Sequence, residues 1–105
     1  MLKFRLLMLK DDPSLVESFI NGIADPSLAG TFRIFLAMKQ EKPMEEVFAL
    51  LVKEPGIKEE ILEGLWDDVV RAVSPNYLKG FIRFLHEKKA ISEEEVLKAL
   101  ERYIK

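Results

Sequence analysis

A chain of 105 residues can bury one hydrophobic core but not two independent ones. Sixteen Lys plus Arg stand against 18 Asp plus Glu, and the formal net charge of -2 lacks the basic excess that advertises a dedicated nucleic-acid binder. With no cysteine, disulfide staples and thiolate metal sites are excluded.

The first residues, MLKFRLLMLK, pair basic and apolar side chains, but the apolar run from Leu6 to Leu9 is shorter than the roughly 7 to 15 residues of a secretory core. Nothing in the chain approaches the roughly 20 apolar residues that span a bilayer. A cytoplasmic protein is the expectation. The stretch is also short for an interfacial membrane helix. Leu2, Phe4, Leu6 and Met8 alternate with period two, yet a lone strand would have no partner for its backbone, so residues 1–12 are expected to form a short helical N-terminal element.

Proline marks the helix starts. Asp12-Pro13, Asp25-Pro26 and Ser74-Pro75 each set a capping residue before a proline at the first helical position. Glu45 and Glu46 after Pro43 suit a helix N-terminus. Ser92 with Glu95 three residues on forms a capping box. Apolar residues at three- and four-residue spacing then predict helices over 13–24, 27–41, 44–53, 57–73, 76–89 and 93–104, with Asn21-Gly22 as an early stop in the first. The fourth carries Ile57, Ile61, Leu65, Val69 and Val73 as its stripe. Glu54-Pro55-Gly56 is the clearest interruption and divides residues 13–54 from residues 55–105.

The two halves resemble each other. PSLAGTFRIFLAMKQEKPMEEVFALLVK from Pro26 lies without a gap on PNYLKGFIRFLHEKKAISEEEVLKALER from Pro75, matching Phe32 to Phe81, Phe35 to Phe84, Leu36 to Leu85 and Val47 to Val96. The chain is therefore expected to be a single all-α domain of about six helices. These would form two tandem three-helix units, as a HEAT-like, solenoid-like stack or an irregular helical bundle.

The mismatches between the copies are more informative than the matches. Gly30, Ile34 and Ala37 share one helix face, and their counterparts are Lys79, Arg83 and His86. The first set predicts an apolar packing surface or a homodimer contact. The second, extended by Lys88 and Lys89, is a candidate basic binding face. Glu60, Glu63 and Asp67 on the expected helix 57–73 form a candidate acidic ridge. Trp66, on the apolar spacing, is expected in the core.

His86 is the single histidine, no HExxH or glycine-rich phosphate loop occurs, and the serines at helix starts are accounted for by capping. No catalytic residue, metal site or cofactor is expected. FIRFLHEKKAISEEEVLKALERYIK resembles the helix–loop–helix of a winged-helix domain. No strand hairpin follows it, and its last helix begins with acids where phosphates would lie, so the resemblance implies no residue roles. The expected function is a non-enzymatic protein-interaction module, a small subunit or adaptor using exposed helix faces. Its partner would be another protein or a second copy. Nucleic-acid binding through the basic face is the alternative. Scarce amides (Asn21, Gln40, Asn76) beside abundant Glu, Lys, Leu and Ile match heat-adapted proteins.

Overall fold

A computed structural model of the chain describes Phe4, Leu6, Leu7, residues 12–54 and residues 56–104. Among these, the helices are α1 (Pro13–Asn21), α2 (Pro26–Lys39), α3 (Met44–Val52), α4 (Ile57–Glu63), α5 (Asp67–Val70), α6 (Pro75–Glu87) and α7 (Glu93–Tyr103), and there is no strand. The winged-helix likeness thus goes no further than two helices. Phe4, Leu6 and Leu7 are helical, which favours the helical reading of the N-terminal element, while most of residues 1–12 lie outside the described residues.

The caps follow from side-chain reach. The Asp12 carboxylate accepts from Leu15 N–H and that of Asp25 from Ser27 and Leu28 N–H, each ahead of a proline at N1. Ser92 and Glu95 close the capping box reciprocally. Ser74 departs from expectation, because its hydroxyl makes no cap bond.

The expected helix 57–73 is two helices. Gly64 adopts φ +89, its N–H donates to Ile61 O, and Leu65 N–H donates to Glu60 O. This is a Schellman turn, which satisfies the last carbonyls of α4 and stops it. The apolar stripe through 57–73 therefore fails at its centre. Leu65 is 57% exposed, while Trp66 takes its place in the core. Two more helices stop the same way without glycine, α2 at Glu41 (φ 54) and α6 at Lys89 (φ 61).

The core is centred on α2, which buries eight of its 14 residues between α1 and α3. Phe4 is fully buried and stacks on Phe32, with ring centroids 3.9 Å apart and planes 7° from parallel. Trp66 meets the same cluster, edge-on to Phe32 at 6.1 Å and tilted on Phe35 at 4.8 Å, and its indole N–H donates to Glu60 Oε1 at 2.9 Å.

The second half repeats the pairing, with α6 packed on α7 and α7 against α4. Helix starts keep the register of the sequence match, Pro26 with Pro75 and Met44 with Glu93. The left-handed turn residues, Glu41 and Lys89, differ by one position from it. The longer α2 and a shorter turn after it compensate each other, which is why the match needs no gap.

The halves meet where α3 touches α6. Met44 packs over Gly80, where a Cβ would lie 2.7 Å from Met44 Cε, and Phe48 meets Phe84 edge-on at 5.9 Å. Polar ties cross the same boundary. Tyr77 OH donates to Lys42 O, and Lys39 Nζ donates to Ala72 O at 3.0 Å. The radius of gyration is 13.0 Å, as for a compact domain of this length.

Candidate functional site

The basic face is built by α6. Tyr77, Leu78, Phe81, Ile82 and Leu85 are buried, so the helix is held along one side. Lys79, Arg83 and His86, at i, i+4 and i+7, all point to solvent on the other. Lys89 is exposed in the turn that ends the helix. Among the described residues none of these four makes a salt bridge. Lys88 behaves differently. Its Nζ lies 3.9 Å from Glu45 Oε1 and 5.4 Å from the Phe84 ring centre, so it is drawn toward α3 and away from the row.

The matching face of α2 is internal. Ile34 and Ala37 are buried, and Gly30 lies under the Glu54 side chain, where a Cβ would overlap the carboxylate. Glu54 reaches across Gly30 to accept from Ser27 Oγ at 2.9 Å. The burial of Ile34 and Ala37 within the chain fits the packing reading of Gly30, Ile34 and Ala37.

Glu60, Glu63 and Asp67 do not share a helix face, because the Gly64 turn separates the first two from the third. Glu60 accepts from Trp66. Glu63 is exposed. Asp67 accepts from Arg102 Nη1 at 2.9 Å, has the Tyr103 hydroxyl at 3.0 Å and lies 3.9 Å from Arg71 Nη2.

Around Asp67 lies a cluster that the sequence reading missed. Arg71, Lys98, Glu101 and Arg102 line an open hollow of about 330 Å³. Lys98 and Arg102 are spaced i, i+4 on α7, a pattern visible in the sequence, but Arg71 joins them only through the fold. A second groove of about 260 Å³ runs over α2, with Ile20, Leu36 and Ala37 on its floor and Glu17, Arg33, Lys42 and Glu46 on its rim. An apolar cavity of about 30 Å³ lies between α2, α6 and α7, walled by Met38, Phe81, Ile82, Ala99 and others.

Among the described residues, no group of three or more His, Cys, Asp or Glu could hold a metal ion. Among the described residues, no buried side-chain nitrogen or oxygen lacks a hydrogen-bond partner. Two tyrosines are perturbed, both upward. Burial raises Tyr77, helped by the charges of Glu41 and Glu46, and burial with the Asp67 hydrogen bond raises Tyr103. Tyr77 OH donates to Lys42 O, and the single proton of Tyr103 OH is shared between Ile61 O and Asp67 Oδ1, so both phenols have structural work. No family model, curated protein or solved structure matches the chain.

Proposed function

We propose that this chain is a non-enzymatic interaction module, a small subunit or adaptor that presents α6 to an acidic surface of a protein partner. One observation supports the reading above the others. Two helices with matching cores differ in that α2 buries Ile34 and Ala37 while α6 leaves their counterparts Arg83 and His86, with Lys79, exposed and without a salt-bridging carboxylate among the described residues. The like charges of Lys79 and Arg83, four residues apart on one helix face, cost stability, and an acidic partner relieves that cost. The reading takes the protein as cytoplasmic. No helix among the described residues is long and apolar enough to cross a membrane. Phe4, the aromatic of the basic-apolar N-terminus, is occupied in the core and is not an anchor for lipid.

The test is affinity capture from native lysate with the wild-type chain, a Lys79→Glu/Arg83→Glu variant and a Glu17→Lys control. A partner retained by wild type and control but lost from the charge-reversed variant is the expected result. The reading fails if the protein is monomeric and recovers nothing that depends on Lys79 and Arg83. Nucleic-acid binding by the same row is the second reading, favoured by the regular basic spacing and opposed by the net charge of -2. Retardation of DNA or RNA at low salt, falling steeply as salt rises and reduced by Arg83→Glu, would select it.

A further inference from the structure

We propose that Arg71, Lys98 and Arg102 form a binding site for a dianionic phosphate group, separate from the α6 face and independent of what that face binds. The three cations converge from two elements. Arg71 caps the C-terminal end of α5, while Lys98 and Arg102 stand one turn apart on α7. With Glu101 they are the whole lining of the hollow of about 330 Å³.

Asp67 prepares the site. Its carboxylate takes the Arg102 guanidinium at 2.9 Å and attracts that of Arg71 at 3.9 Å, and the Tyr103 hydroxyl at 3.0 Å fixes it from a third direction. One carboxylate holds two guanidinium groups, so it orients both and neutralises one. Lys98, which makes no salt bridge among the described residues, adds a further positive charge. The lining itself sets three cations against the one carboxylate of Glu101, in a chain whose net charge is -2, with Asp67 behind the arginines and Glu95 near Lys98.

The donor chemistry selects the ligand. A guanidinium presents five N–H donors in a planar fork that matches phosphate oxygens, and each arginine keeps donors that Asp67 does not use. The Arg102 side chain is 34% exposed and that of Arg71 60%, so one fork is partly desolvated and pre-oriented while the other can close on a ligand. The lining is entirely charged side chains, which recognise the anionic group and take no grip on an apolar body. Both free phosphate and the phosphate of a small ester carry this chemistry.

The experiment follows backbone amide shifts of the full chain on titration with inorganic phosphate, with glycerol 3-phosphate and with chloride at equal ionic strength. Saturable shifts at Arg71 and along Lys98–Arg102 with a phosphate, absent with chloride, are expected. If glycerol 3-phosphate binds as well as or better than phosphate, the ligand is a small ester. If phosphate alone binds, it is the free anion. Lys98→Ala and Arg71→Ala, both exposed positions, should each weaken binding by about fivefold or more, as loss of a charge-assisted contact does. Arg83→Glu should leave it unchanged, which separates this site from α6. Shifts no larger than with chloride, shifts centred on Lys79 and Arg83, or binding unaltered in both hollow variants would each overturn the proposal.

Discussion

The hydroxyl of Tyr77, at the start of α6, donates its proton to the carbonyl oxygen of Lys42, in the turn between α2 and α3. This contact spans the boundary between the two halves and satisfies a carbonyl left over where α2 ends. Replacing Tyr77 by Phe keeps the ring and leaves that carbonyl unpaired, so about 1 kcal/mol of stability should be lost. For a domain of this size the loss should appear as a fall of roughly 4–8 °C in Tm.

The same phenol, with Tyr103, predicts the alkaline limit of the fold. Both are raised above the ordinary tyrosine value, so the folded chain keeps its phenolic protons when the unfolded chain releases them. Their contribution is complete below about pH 10, where unfolded tyrosine titrates, and declines as pH rises beyond it toward the folded values. Urea midpoints should therefore drop above about pH 10. The slope should be shallower in Tyr77→Phe and shallower again when Tyr103→Phe is added.

Gly64 should not tolerate a side chain. Its φ of +89 disfavours any L-residue, and a Cβ would overlap Arg102 Nη1, the donor to Asp67. Gly64→Ala should cost more than the about 1–2 kcal/mol of the left-handed conformation alone. Arg102 must also move, so phosphate binding should weaken together with stability.

Glu41 and Lys89 occupy the same kind of turn with φ of 54 and 61. Here the direction reverses, because glycine relieves a strain already present. Glu41→Gly and Lys89→Gly should each raise stability by about 0.5–1 kcal/mol, the left-handed penalty less the entropy that glycine loses on folding. Chemical denaturation of the two single variants and the double would measure it.

Phe4 and Leu6 differ in burial, 0% against 50% exposed, and mutation should separate them. Phe4→Ala removes the ring stacked on Phe32 and should cost about 3–5 kcal/mol, a large share of the total stability of a small domain. Leu6→Ala should stay near 0.5 kcal/mol. Equal losses would mean that Phe4 is not what holds this segment to the core.

What could be read from the chain were the features set by neighbours in sequence. The helical class, the starts at Pro13, Pro26 and Glu93, the Asp12, Asp25 and Ser92 caps and the outward turn of Lys79, Arg83 and His86 all depend on spacing within one or two helical turns. Even the end of α4 was marked, by Gly64, but a run of apolar residues at helical spacing on both sides concealed it. Periodicity reports where side chains would point if the helix continued and says nothing about whether it does.

Other features required the halves to come together. Lys88 shares the row of α6 in sequence, but the N-terminus of α3 offers it Glu45, so it leaves that row. Arg71 and Arg102 are remote in sequence and meet because Asp67 holds a charge between them. The burial of Ile34 and Ala37 is likewise a property of the packed chain, since only neighbouring elements can exclude water from a helix face. Helix-forming preferences act over a few residues, whereas burial and charge act on whatever the fold brings close. The spacing and capping residues of this chain therefore determined that it is helical, and its tertiary contacts decided which of its charges face solvent and which face one another.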